Sequence, residues 1–217
     1  MAADGQNIPV KCLKCHVALR TPIVCDGCHS LFPPPPEADY FALLGMPRTY
    51  AIDEKKLYSS YLAIARGVHP DRFTSASDED RSLATRLSAA LNQAYDVLSD
   101  PVRRADYLLE IAGGPSAAEM REVPGDFLAD IMTLREEIDQ AKTAQDDNAL
   151  LRHREAVVAR RQETRRRIAA LAESCADLDN RQRAELRRLL NSMNYYDNLL
   201  TELAVDPFAA PAKSTND

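Results

Sequence analysis

The stretch RGVHPDRF, residues 66–73, closes a run of helical spacing and sets the polar tripeptide His69-Pro70-Asp71 on the turn that follows. Proline locks its own φ and pushes the residue before it out of αR geometry, so the preceding helix has to stop there. Ahead of the stop, Leu57, Tyr61, Ile64 or Ala65, and Val68 recur at helical spacing, while Lys55, Lys56 and Arg66 fall at other angles. Beyond it, Ser77 with Asp80 three residues on reads as the start of a second helix, whose apolar stripe is Leu83, Leu87, Leu91, Tyr95 and Leu98. Two amphipathic helices joined by a loop of about ten residues are expected to pack antiparallel.

Working outward, DYFALLG is a short helix ending at Gly45, and Asp53 is the N-cap of the helix that leads to His69, with Ile52 and Leu57 as a hydrophobic staple. Asp100 and Pro101 open a further helix, VRRADYLLEIA, which Gly113 and Gly114 terminate. From about Gly125 onward three long patterns follow. The first carries Phe127, Ile131, Leu134 and Ile138. The second runs to Cys175 through Leu150, Val157, Val158, Ile168 and Leu171. The third carries Leu186, Leu189, Met193, Tyr196, Leu200 and Leu203. One apolar face on each, with short polar turns between, predicts an antiparallel three-helix bundle. The tail PFAAPAKSTND is expected to be disordered.

Composition agrees with an all-α protein: 217 residues, 45% hydrophobic, 28% charged, only 7 glycines and no tryptophan. The net charge of −6 argues against wrapping nucleic acid. No apolar run is long enough to span a bilayer, and MAADGQNIPVKC has neither a signal-peptide stretch nor an Arg-rich presequence. A cytoplasmic location is therefore expected.

KCLKCHVALRTPIVCDGCHS places Cys12, Cys15, Cys25 and Cys28 as CxxC, nine residues, CxxC. Each CxxC wraps two thiolates around one corner of a tetrahedron, and a nine-residue hairpin brings the pairs together, which points to one structural Zn²⁺ in a closed four-thiolate site. Two redox dithiols or an iron centre are the minor readings. His16 and His29 are expected outside the ligand set, and Cys175 as a buried small hydrophobe. Pro33 to Pro36 make a stiff boundary after this module.

What the His69-Pro70-Asp71 turn does depends on its surroundings. No nucleophile, Gly-rich phosphate loop or strand-borne partner accompanies it, so catalysis is a poor reading, and taken alone the tripeptide would be a solvated loop. In context, DYFALLG, LYSSYLAIARGVHPDRF and LNQAYDVLSDPVRRADYLL together resemble the J-domain, by which co-chaperones engage heat-shock ATPases of the DnaK/HscA class. The resemblance implies that His69, Pro70 and Asp71 contact the ATPase and trigger ATP hydrolysis, with Lys55, Lys56 and Arg66 attracting its acidic surface. RRADYLLEIAG, FLADIMTLREEIDQA and LNSMNYYDNLL extend the resemblance, from about Asp39 to Leu203, to the iron-sulfur co-chaperone HscB family.

Membership would make the bundle the binding site for the cluster scaffold IscU, through Leu128, Ala129, Met132, Thr133, Arg135 and Glu136 with Tyr195. The family often has a larger apolar residue where Ala129 stands and an acidic one where Thr133 stands. The tetracysteine module resembles the N-terminal extension of eukaryotic members, and dimerisation, partner contact or stability are all open as its purpose. The division expected is 1–36 zinc module and linker, 37–114 J-domain, 115–205 bundle and 206–217 tail. Two other readings stand beside this non-enzymatic co-chaperone: a J-domain protein for another client, and a zinc-containing nucleic-acid regulator using Arg160, Arg161, Arg165, Arg166 and Arg167. Against the last, that arginine run reads equally as a solvated face paired with Glu155 and Glu163.

Overall fold

The computed structural model describes residues 11–204. Among them are seven α-helices and no strand: α1 Tyr40–Leu43, α2 Glu54–Val68, α3 Asp78–Ser99, α4 Pro101–Ile111, α5 Phe127–Thr143, α6 Asp147–Ala172 and α7 Asn180–Glu202. The expected disordered tail lies outside the described residues. The chain divides into two compact units, one up to Leu108 and one from Leu109.

The helix boundaries follow from local chemistry. The Asp53 carboxylate accepts from the N–H groups of Lys55 and Lys56, and Ser77 Oγ accepts from Asp80, so both expected caps are in place. Asp100 Oδ1 takes the first free N–H groups of α4, from Val102 and Arg103. At the far end of α4, Gly113 adopts φ +72°, and the N–H groups of Gly113 and Gly114 return to Glu110 and Leu109.

In the first unit α2 and α3 pack against each other, and Leu57, Ile64 and Val68 meet a buried row of Ala84, Leu87, Leu91, Ala94 and Leu98. The α3 stripe is rotated slightly from the sequence pattern: Ala84 and Ala94 are buried, while Leu83 and Tyr95 are only half-buried. Small residues let the two helices approach closely, and Tyr95 instead stacks on Tyr61 at 4.3 Å, with Tyr58 at 6.2 Å.

The second unit is built on α5, α6 and α7. Ile131, Leu134 and Ile138 pack with Val157, Tyr196, Leu199 and Leu203, and Phe127 sets its edge against the rings of both Tyr195 and Tyr196. One expectation shifts here. The α6 helix ends at Ala172, not near Cys175, and Cys175 sits on a short 3-10 turn, Cys175–Asp177, still buried as anticipated. The α7 helix then starts from a capping box in which Asp179 and Gln182 satisfy each other's backbone N–H.

Residues 11–32 contain no helix. Isolated antiparallel bridges join Lys11 to Ala18, Thr21 to Val24 and Val24 to Leu31. Thr21, Ile23, Val24 and Cys25 are buried, and they belong to the same compact unit as α1 to α3.

Candidate functional site

The α2 helix delivers His69-Pro70-Asp71 at its C-terminus. Pro70 opens a 3-10 turn, Pro70–Phe73, and His69, at φ −62° and ψ 128°, is at once the C-cap of α2 and the N-cap of that turn. Its Nδ1 accepts the Asp71 backbone N–H at 3.2 Å. A neutral His69 must then carry its proton on Nε2 and present that donor outward. The Asp71 carboxylate lies 3.6 Å from the same ring, and the two side chains are 86% and 58% exposed, respectively.

The turn is held from inside. Ser88 Oγ of α3 donates to the Val68 carbonyl at 3.1 Å, and Arg72 Nη1 donates to the Arg66 carbonyl. These bonds satisfy two of the carbonyls that a helix C-terminus leaves free. Arg66 is exposed beside the tripeptide. Lys55 and Lys56 are exposed as well, but in the first turn of α2, roughly three helical turns away. The expected chaperone-binding residues thus form one compact group at one end of α2 and a separate basic pair at the other.

On α5, Leu128 and Met132 point away from the core, 47% and 64% exposed. A core role for these two residues is thereby ruled out. Ala129, Thr133, Arg135 and Glu136 are exposed on the same helix, and Tyr195 is half-buried against Phe127. Arg135 pairs with Glu202 at 3.1 Å. Arg135 and Tyr195 also line an open cleft of about 520 Å³ with Arg121, Asn191, Asn194 and Asn198. Sequence reasoning passed over those asparagines, although their spacing on α7 puts three weak helix formers along one stripe.

The four sulfurs of Cys12, Cys15, Cys25 and Cys28 lie within 4.8 Å of one another. Cys12 Sγ is 3.6 Å from Cys28 Sγ, and Cys15 Sγ is 3.5 Å from Cys25 Sγ. A tetrahedral zinc-thiolate site needs sulfurs about 3.8 Å apart, so the arrangement fits a metal ion of that size. Each pair is shaped by a knuckle. The Lys14 and Gly27 N–H groups point at Cys12 Sγ and Cys25 Sγ, while His16 and His29 take the left-handed conformation at φ 61° and 57° that turns the chain away. Both histidines are exposed and outside the sulfur cluster. The thiols are unequal without metal: the Ser30 hydroxyl and backbone N–H hold Cys28 down to about 6. Although the Val17 backbone N–H favours the Cys15 thiolate, loss of hydration and the other three sulfurs push it up to about 12.

The arginine run on α6 is largely paired. Arg166 meets Glu163, while Arg161 and Arg167 reach across to Asp197 and Glu185 of α7. No helix among the described residues is long and apolar enough to cross a membrane.

Residues 39–107 match the DnaJ domain model, and residues 123–204 match the model described as the HSCB C-terminal oligomerisation domain. The chain belongs to the HscB family of co-chaperones. It is 40% identical over 114 residues to the co-chaperone protein HscB of Proteus mirabilis, an alignment covering 52% of this chain and 66% of that one. Curated HscB relatives of this kind are matched over 62% to 67% of their own length. The crystal structure of the human co-chaperone protein HscB superposes with a TM-score of 0.71 at 26% identity, covering 89% of this chain and 96% of that one. The chaperone HscB from Vibrio cholerae gives 0.62 at 30% identity, covering 76% and 95%. HscB membership accounts for the order of parts along the chain, with the J-region helices first and the C-terminal helices after them.

Proposed function

We propose that this HscB-family chain is a non-enzymatic co-chaperone that stimulates ATP hydrolysis by a DnaK/HscA-class chaperone and brings it the iron-sulfur scaffold IscU. The observation that carries the reading is the His69-Pro70-Asp71 turn, held by hydrogen bonds from Ser88 and Arg72 with the His69 and Asp71 side chains exposed. Pro70 sets the bend, His69 offers its Nε2 proton, and Asp71 offers an acceptor. Arg66 acts at the contact itself, and Lys55 and Lys56 raise the encounter rate with an acidic partner from the far end of α2.

The cargo end is proposed to be the exposed face of α5, with Leu128 and Met132 as apolar anchors, Ala129, Thr133, Arg135 and Glu136 around them, and Tyr195 beside them. A small apolar patch with a charged rim has the composition of a transient interface. Zinc is the metal proposed for Cys12, Cys15, Cys25 and Cys28, where it would hold the fold of residues 11–32 and supply no chemistry to a substrate. The protein is proposed to work in the cytoplasm, whose reducing conditions keep such thiols free for metal. The proposed parts are 1–36, 37–114, 115–205 and 206–217.

The test is a chaperone ATPase assay with IscU present. His69→Gln is expected to remove stimulation while circular dichroism stays unchanged. Stimulation at the level of the unsubstituted chain would sink the proposal.

A further inference from the structure

The cysteine module is not merely tethered ahead of the J-region; it is packed against it, and the contact falls next to the turn that the proposed function uses. Thr21, 3% exposed, donates its hydroxyl to the Leu43 carbonyl at the end of α1, at 2.8 Å. Gly45 has φ +61°, and a β-carbon there would come within 2.8 Å of the Arg20 carbonyl oxygen. Through these two contacts the segment at Arg20 and Thr21 is seated on the turn after α1. That turn is in turn fixed to α2, because Ser60 Oγ donates to the Leu44 carbonyl.

The second contact is at Gly67. A glycine inside a helix costs about 1 kcal/mol against alanine, so its presence in the last turn of α2, one residue before Val68, calls for a reason. The reason is space: a β-carbon on Gly67 would stand 3.2 Å from Val24 Cγ2 and 3.5 Å from Val24 Cγ1. The isopropyl group of Val24, itself 4% exposed, therefore rests on the last turn of α2, two residues before His69. Ser88 holds that turn from α3 through the Val68 carbonyl, and Val24 holds it from the module.

Val24 owes its own position to the thiols. It precedes Cys25 directly, and its backbone bridges to Thr21 and Leu31. A segment of this size with isolated bridges and no helix cannot hold its fold by burial alone, and a closed metal site supplies what is missing. We infer that Val24 is a positioning residue for the His69-Pro70-Asp71 turn, pressed onto Gly67 by the metal-bound cysteine module, so that emptying the four-thiolate site loosens the turn at the end of α2. The functional half of this inference rests on the co-chaperone reading; the structural half does not.

The experiment uses the full chain in four forms: unsubstituted, Val24→Ala, Gly67→Ala and the double variant, each with zinc and after chelation. Amide hydrogen exchange over residues 66–71 is the first readout, with Leu87–Leu98 as an internal reference for the rest of the unit. Val24→Ala is expected to speed exchange at 66–71 by about tenfold with the reference segment unchanged, and chelation of the unsubstituted chain is expected to do the same. Gly67→Ala is expected to perturb the turn when Val24 is present and to restore protection when Val24 is alanine, because the added methyl fills the space just vacated. In the ATPase assay the loosened forms are expected to need several-fold more co-chaperone for half-maximal stimulation while reaching the same maximal rate, since the contact residues themselves are intact. Unchanged exchange at 66–71 in both Val24→Ala and the chelated chain overturns the inference, as does a Gly67→Ala effect that is the same in both backgrounds. His69→Gln, run alongside, separates the two ideas: if it still stimulates, the co-chaperone reading fails and the exchange data alone judge Val24.

Discussion

Arg104 lays its guanidinium 5.1 Å over the ring of Tyr50 while its Nη1 donates to the carbonyl of Leu98 at 2.5 Å. The cation comes from the first turn of α4 and caps the last turn of α3, where helix carbonyls are free and the dipole is negative. It does so at 5% exposure, and burial pulls its pKa below the ordinary guanidinium value against the opposing pull of Tyr50, Glu54 and Asp100.

Replacing Arg104 with leucine keeps much of the volume but leaves the Leu98 carbonyl without its donor. A loss of about 1–3 kcal/mol is expected, read as a lower urea midpoint for the unit that ends at Leu108. A neutral or stabilising outcome would mean that the buried cation costs more than its contacts return.

The thiols give a pH-dependent expectation for the metal-free chain. Cys28 is exposed and lowered to about 6, so its thiolate is present at neutral pH and is lost only as pH falls through that value. Iodoacetamide at pH 7 should modify Cys28 first and Cys15, raised to about 12, far more slowly. Burial raises the Cys175 thiol, so it too should react more slowly than Cys28, and one equivalent of zinc should protect the other four together. Peptide mass spectrometry at timed intervals reads the order.

Two substitutions on α5 should behave in opposite ways. Ile131 is 3% exposed inside the core, and Ile131→Ala should cost about 2–5 kcal/mol. Leu128→Ser with Met132→Ser changes exposed positions, so stability should move by less than about 1 kcal/mol while binding to IscU falls. Calorimetric titration paired with thermal melts separates the two effects; retained binding in the double variant would remove this face from the proposed interface.

Gly45→Ala tests the contact between the module and the turn after α1. Positive φ and a carbonyl oxygen 2.8 Å from the new methyl both oppose it, and a cost of about 1–3 kcal/mol is expected in the melting of the same unit.

Most of the helix plan was legible because it rests on local rules. Asp53, Ser77, Asp100 and Gly113 each act within a turn of where they sit, and the apolar stripes of α2 and α5 follow the 3.6 period. The CxxC pairs were readable for the same reason, their geometry being fixed inside a few residues. What stayed hidden depends on pairs distant in sequence. Nothing near Val24 says that it faces Gly67, and Gly67 reads only as a poor helix residue until its neighbour is seen. Arg104 looks like one more surface cation of VRRADYLL, and Cys175 like a continuation of α6. The arginine run divided the same way: Glu163 was a local guess, whereas Asp197 and Glu185 come from another helix.

The α5 helix keeps its core packing and its proposed interface on different residues. Ile131, Leu134 and Ile138 hold the core, and Leu128, Ala129, Met132 and Thr133 face outward with no part in it. Variation can therefore sample the outer set one side chain at a time without eroding the fold. The small residue at 129 and the neutral one at 133 both belong to that outer set, where core packing places no restriction on them.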